Sequence, residues 1–158
     1  MTRLQNLATL AIAVVITSAS VQAQPKDPAL GTWVLNVAKS KFSPGPAPKS
    51  QTRTYTIAGD KVAATFEGVG ADGKPLKIEF TATADGKDYA YKGDPAADAI
   101  SFRRIDANTV EASVKKGGKE VHHATRVISK DGKTMTVTMT GKDAKGQALH
   151  NVLVFDRK

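Results

Sequence analysis

Leu30-Gly31-Thr32-Trp33-Val34-Leu35-Asn36 contains the only tryptophan of this chain. The stretch comes directly after a segment that resembles a removable leader. Downstream of it, the sequence repeats one pattern, in which a short strand-like run is followed by a turn rich in Gly, Asp or Asn. The pattern predicts that this stretch is the first strand of a closed antiparallel barrel.

The segment before this stretch has the pattern of a secretory signal peptide. A basic start with Arg3 is followed by an apolar run over residues 7–16, and Val21-Gln22-Ala23 supplies the small residues of a cleavage site. The run is shorter than the ~20 residues that a membrane span needs. We therefore expect residues 1–23 to be removed and the protein to be exported, to the periplasm or outside the cell. The alternatives are an uncleaved anchor or a first helix of the fold.

Removing residues 1–23 from the 158-residue chain leaves 135 residues, enough for one domain over residues 24–158. The chain has no cysteine, which excludes disulfides and thiolate metal sites. Its net charge of +8 becomes +7 without Arg3. A basic surface favours anionic partners such as lipid headgroups or polyanions. Most lysines fall in predicted turns, however, where they more often serve solubility.

The mature sequence predicts an up-and-down meander. Leu76 to Thr83 alternates apolar and polar residues without a violation. Asp-Gly turns and the Gly117-Gly118 hairpin signal separate the strands. Residues 37–42 favour one helical turn, and the prolines of residues 43–48 favour an extended crossover. The ten expected strands are 31–36, 51–57, 62–69, 76–83, 88–92, 100–105, 109–115, 120–129, 134–140 and 148–155.

This pattern predicts an all-β fold, a single closed antiparallel up-and-down barrel of about eight to ten strands. No long helical stretch is present to make the crossovers of a parallel sheet. A single open sheet of this size would leave two unpaired edges, and closure removes them.

Gly31-Thr32-Trp33 near the mature N-terminus resembles the Gly-x-Trp signature of the calycin superfamily, which includes lipocalins and fatty-acid-binding proteins. Those families carry an arginine on a late strand that packs across the tryptophan, and Arg157 matches it. The resemblance implies a lipocalin-like barrel. The Arg-x-Tyr carboxylate clamp of the fatty-acid-binding branch is not carried over, and its two-helix lid is replaced by a proline-rich segment. The chain is most similar to lipocalin-like domains of exported bacterial proteins.

We expect Gly31, Trp33 and Arg157 to form a structural plug at one barrel end, with the guanidinium over the indole face. The alternative is a tryptophan that stacks on a ligand. With the plug at one end, a ligand is expected to enter at the other.

Alternation along the strands marks a set of inward residues that could line a cavity. Arg104 and Arg126 belong to it because an arginine on an apolar inward face needs a partner, and a bound anion could supply one. A solvated arginine on the outer face is the commoner arrangement. Tyr89, Tyr91 and the methionines could line a cavity or fill the core. The candidates are Phe66, Ile78, Phe80, Tyr89, Tyr91, Phe102, Arg104, Val114, Arg126, Met135, Val137 and Met139.

The sequence shows no catalytic or metal constellation. His122 and His123 are adjacent in one predicted strand and should point to opposite faces. Nucleic-acid binding needs basic and aromatic residues on one face, which nine scattered aromatics do not supply. They are also too few for the girdles of an outer-membrane barrel. We therefore expect neither an enzyme nor a bound cofactor or metal.

The leading hypothesis is a monomeric, exported, non-enzymatic binding protein that holds a small apolar or amphipathic, lipid-like ligand in a barrel cavity. The alternative is an envelope interaction or inhibitor module. Such a module would have a filled barrel and would act through its basic surface, including peripheral contact with anionic surfaces. An enzyme with an unrecognised site is a third option.

Overall fold

The computed structural model describes residues 27–143 and 145–158. The predicted signal peptide, residues 1–23, and the start of the polar arm lie outside the described residues. Within them, no helix is both long and apolar enough to cross a membrane.

Most of the described chain is β-strand, as the meander pattern predicts. One short 3-10 turn, Val37–Lys39, follows the first strand. The strands are β1 (Gly31–Leu35), β2 (Lys41–Ser43), β3 (Ser50–Ala58), β4 (Lys61–Val69), β5 (Pro75–Ala82), β6 (Tyr89–Ala90), β7 (Ala99–Arg104), β8 (Thr109–Lys116), β9 (Lys119–Ile128), β10 (Thr134–Lys142) and β11 (Ala148–Arg157).

The strands form one antiparallel sheet that curls into a nearly closed barrel. Ten strands follow the order β5-β4-β3-β1-β11-β10-β9-β8-β7-β6, and β2 pairs beside this path with β11. The first and last strands meet, with Trp33 opposite Arg157. The predicted all-β, up-and-down barrel is therefore confirmed, with β2 as an additional short strand.

The barrel has one thin seam, between β5 and the segment around β6. There Glu79 and Lys92 exchange both backbone hydrogen bonds, each 3.0 Å long. A second bridge joins Asp85 to Arg103. The strand expected over residues 88–92 is reduced to Tyr89–Ala90, because the chain turns at Gly93 (φ 94°) to pack directly against the backbone of Lys77.

Alternation places the core inside the barrel. In β5, Ile78, Phe80 and Ala82 are buried, whereas Lys77 and Glu79 are exposed. The same inward alternation on the other strands buries Trp33, Phe155, Ile128 and Met135 most completely. Burial of these side chains is the main stabilising contribution, since no disulfide is present.

Strand β9 departs from strict alternation at one bulge. Val114 lies opposite His122, but Lys115 lies opposite Glu120, so Val121 is an extra residue. Val121 packs against the core, an irregularity that simple alternation along β9 does not predict.

Candidate ligand site

A cavity opens at the barrel end where the β3–β4 and β7–β8 turns lie. We call it the mouth cavity; its volume is about 690 Å³. Strands β3, β4 and β5 and strands β7, β8 and β9 supply its side walls. Its rim is formed by the turns and the N-terminal arm. The lining residues are Asp27, Pro28, Tyr55, Ile57, Gly59, Asp60, Lys61, Val62, Phe80, Ala82, Thr83, Ala84, Asp85, Phe102, Arg104, Ala107, Asn108, Val110 and Arg126.

Aromatic rings form the inner wall of the mouth cavity. The centroid of Phe80 lies 5.3 Å from that of Phe102 and 5.4 Å from that of Phe66. Tyr55 meets Phe66 edge-on at 5.8 Å. Offset and edge-to-face contacts of this kind are the favourable arrangements for aromatic pairs. The inner wall is therefore a packed apolar surface, formed by Tyr55, Phe80 and Phe102 and backed by Phe66.

Two arginines, Arg104 of β7 and Arg126 of β9, flank Val110 of β8 and share one carboxylate at the mouth. Arg104 donates from Nη2 to Asp27 Oδ2 at 2.9 Å, and Arg126 donates from Nη2 to Asp27 Oδ1 at 3.3 Å. The side chains of Arg126 and Asp27 are only 13% and 15% exposed, against 40% for Arg104. The Arg126 Nε is buried and finds no hydrogen-bond partner among residues 27–143 and 145–158. Arg126 thus faces the barrel interior.

Burial of Asp27 disfavours its charge, but Arg126, the Ala29 N–H and Arg104 together outweigh this and lower the pKa of the carboxyl below its usual value of 3.8. Because the folded pKa lies below the unfolded one, the carboxylate stabilises the fold fully above the unfolded value. This stabilisation is lost as the pH falls through the folded pKa.

We expect the stability difference between the wild type and Asp27→Asn to be constant between pH 7 and 5 and to shrink as the pH falls below 3.8. Asparagine keeps an oxygen that accepts the Ala29 N–H, which Asp27 Oδ1 accepts at 2.9 Å. Urea unfolding at several pH values measures the difference. A difference that does not change between pH 7 and 3 would show that the charge of Asp27 is not what stabilises the arm.

The arm carrying Asp27 is fixed from the opposite wall by Trp33 and Arg157. Trp33 Nε1 donates to the Ala29 carbonyl at 2.7 Å. Arg157 donates to the carbonyls of Pro28 and Leu30, both at 2.7 Å, and its guanidinium carbon lies 4.1 Å from the indole centroid. This plug therefore lies at the same end as the mouth cavity, whereas a ligand was expected to enter at the opposite end.

Below the mouth cavity, Arg53 and its aromatic neighbours form a packed layer. The guanidinium of Arg53 lies between two phenyl rings, 4.3 Å from the centroid of Phe66 and 4.5 Å from that of Phe155, and its Nε donates to Gln51. Burial raises the pKa of Tyr91 to about 12, so this phenol remains neutral. A ligand in the mouth cavity would therefore rest on this packed layer instead of passing through the barrel.

The structure divides the residues predicted to line a cavity into two groups. Phe80, Phe102, Arg104 and Arg126 line the mouth cavity. The remainder lie outside its lining: Phe66, Ile78, Val114, Met135 and Val137 are buried in the core, and Tyr89, Tyr91 and Met139 are partly buried.

Sequence reasoning missed most of the residues that line the mouth cavity, and three of them show why. Tyr55 and Val110 continue the inward alternation of β3 and β8, a signal that was available in the sequence. Asp27 lies in a polar arm whose path no local pattern predicts, and it becomes a neighbour of Arg104 only through the tertiary fold.

A second cleft, of about 790 Å³, opens at the opposite end of the barrel, where its lining includes Leu149 and both His122 and His123. His122 Nε2 lies 3.0 Å from the Lys142 carbonyl, and His123 Nδ1 lies 3.7 Å from a Glu120 carboxylate oxygen. Among the described residues, no group of three or more His, Cys, Asp or Glu is arranged to hold a metal ion. The walls of this cleft lack the aromatic rings of the mouth cavity.

No protein-family model matches this chain, and no curated protein matches it.

Proposed function

We propose that the protein is a non-enzymatic binding protein that holds a small apolar or amphipathic molecule in the mouth cavity. The observation that carries the proposal is the combination of the contacting rings of Phe80 and Phe102 with Arg104 and Arg126 at one open site. Pockets for small molecules are typically 300–1,000 Å³, mostly apolar, with a few convergent polar groups. The mouth cavity fits this description in size and in chemistry.

The two parts of the lining favour different parts of a ligand. An apolar chain or ring placed against Phe80, Phe102 and Val110 would leave water, with a gain of about 25 cal/mol per Å² of buried apolar surface. A polar end would lie near Arg104, which is partly exposed at the rim. The resulting ligand is small and lipid-like, with its polar end toward solvent.

Two further considerations support this function. The leader pattern of residues 1–23 would place the protein in the periplasm or outside the cell, where apolar molecules need carriers. The Gly31-Thr32-Trp33 and Arg157 signature resembles that of calycins, and the nearly closed antiparallel barrel is compatible with that superfamily. On this proposal the protein is an exported, calycin-like carrier that acts as a monomer.

Titration with the neutral dye N-phenyl-1-naphthylamine tests the proposal. We expect saturable enhancement of dye emission with the wild type and at least a fivefold weaker affinity, on the order of 1 kcal/mol, for Val62→Trp, which narrows the mouth cavity. Val62 is half-buried, so the larger side chain is accommodated at the rim. Leu149→Trp is the matched control, because Leu149 is also half-buried but lines the opposite cleft.

Equal loss of dye binding in both variants, or loss only in Leu149→Trp, would contradict the mouth cavity as the site. Absence of any dye binding, together with salt-sensitive binding to anionic vesicles, would favour the alternative of an interaction module. Ile57 at the rim, 61% exposed beside Lys61, is the structural feature that favours this second function.

A further inference from the structure

The two arginines at the mouth share a single buried carboxylate. Asp27 supplies one negative charge to two guanidiniums, and the buried Nε of Arg126 has no partner within the part of the chain described. The other charged lining residues, Asp60, Lys61 and Asp85, belong to the hairpin turns at the rim. The exposed carboxylate of Asp106, in the β7–β8 turn, also interacts electrostatically with Arg104. Arg126, however, has only its share of the Asp27 carboxylate and an unused Nε–H donor, and both favour an anion at this site.

Most of the bonds that fix the arm do not involve the Asp27 carboxylate, which accepts only the Ala29 N–H from the arm itself. The arm is fixed through the carbonyl oxygens of Pro28, Ala29 and Leu30, which accept hydrogen bonds from Arg157 and Trp33. None of these bonds uses the Asp27 side chain. Rotation of that side chain would release both arginines and the Ala29 N–H while the arm stays in place.

We infer that Asp27 is an internal carboxylate ligand of the Arg104–Arg126 pair, and that the anionic headgroup of an amphipathic ligand binds the pair by replacing it. This inference rests on the proposed function, since the apolar part of the ligand would occupy the mouth cavity. The headgroup that fits is a carboxylate or a phosphate, because both accept hydrogen bonds from guanidinium groups. Because the Asp27 carboxylate and the headgroup compete for the same two arginines, Asp27 lowers the affinity of the protein for anions.

Calorimetric titration of the full folded protein with decanoate and with decanol tests the inference, because the two probes differ only in the headgroup. We expect Asp27→Asn to bind decanoate about tenfold more tightly than the wild type, a typical size for coupling between two sites. Its affinity for decanol should be unchanged. Asp60→Asn removes the same charge from the same cavity rim without contacting either arginine, and should change decanoate affinity by about twofold or less, because exposed charges are screened by salt.

A second measurement uses the wild type alone and therefore does not depend on how the variant folds. The Ala29 amide donates to Asp27 Oδ1 at 2.9 Å, so replacement of the carboxylate should shift its ¹H–¹⁵N resonance. We expect this shift during titration with decanoate and not with decanol. Decyl phosphate in place of decanoate distinguishes a preference for phosphate from one for carboxylate.

Unchanged or weaker binding of decanoate by Asp27→Asn, or an equal gain in Asp60→Asn, would overturn the inference. So would an Ala29 resonance that responds alike to both probes. In those cases decanol would still bind and the proposed function would stand. If neither probe binds to the wild type, the proposed function fails, and the inference fails with it.

Discussion

Trp33→Ala is expected to lower the free energy of unfolding by about 3–5 kcal/mol, the usual range for removing a fully buried large aromatic side chain. The indole is completely buried and is covered by the Arg157 guanidinium. Its loss would also leave the Ala29 carbonyl without the Nε1 donor and would loosen the arm that carries Asp27. Urea unfolding followed by far-UV circular dichroism measures the change, since the variant has no tryptophan fluorescence.

Val34→Ala is the control, because Val34 follows Trp33 in the same strand but is 43% exposed. Its cost should stay below about 1 kcal/mol. A Trp33→Ala variant that kept its unfolding midpoint but no longer bound the dye would contradict the structural role, and would instead make Trp33 a ligand contact.

Gly93→Ala is expected to cost about 3–4 kcal/mol and to open the seam of the barrel. Gly93 has φ of 94°, and a Cβ at this position would lie 1.8 Å from the Lys77 carbonyl oxygen. Because backbone atoms cannot yield as a flexible side chain would, β5 and the segment after β6 must separate. The Glu79–Lys92 hydrogen bonds are next to this contact and should break first.

Gly86→Ala is the control that separates the cost of the clash with backbone atoms from the cost of a positive φ. Gly86 has φ of 79°, but a Cβ there would meet nothing within 4 Å. This control should cost only the strain of a positive φ, about 1–2 kcal/mol. Amide hydrogen exchange should speed up at Glu79 and Lys92 in Gly93→Ala only. Equal destabilisation by both substitutions would show that the seam does not depend on the close approach of Gly93 to Lys77.

Local patterns were sufficient to predict the fold. The alternation of β5, from Leu76 to Ala82, predicts which face of the strand is buried, and the Asp-Gly pairs predict where the chain turns. Trp33 and Arg157 lie opposite one another in paired strands, at opposite ends of the described chain. These features are predictable because each depends on a few residues close in sequence, or on one conspicuous pair.

The mouth cavity was only partly predictable, because it depends on distant segments and on local irregularities. Arg53 looks like a surface residue between two threonines, yet its guanidinium lies between two phenyl rings from β4 and β11. The bulge at Val121 changes which side chains of β9 face inward, and alternation alone cannot show it. Asp27 reaches Arg126 across 99 residues of sequence. Phe80 and Phe102, by contrast, follow directly from alternation.

Mapping a bound ligand by intermolecular nuclear Overhauser effects tests the central claim most directly. With ¹³C-labelled protein and unlabelled decanol, we predict contacts from the ligand methylenes to Phe80, Phe102 and Val110, which line the mouth cavity. Contacts instead to Leu149 and His122 in the opposite cleft, or binding without any contact to the aromatic wall, would contradict the account.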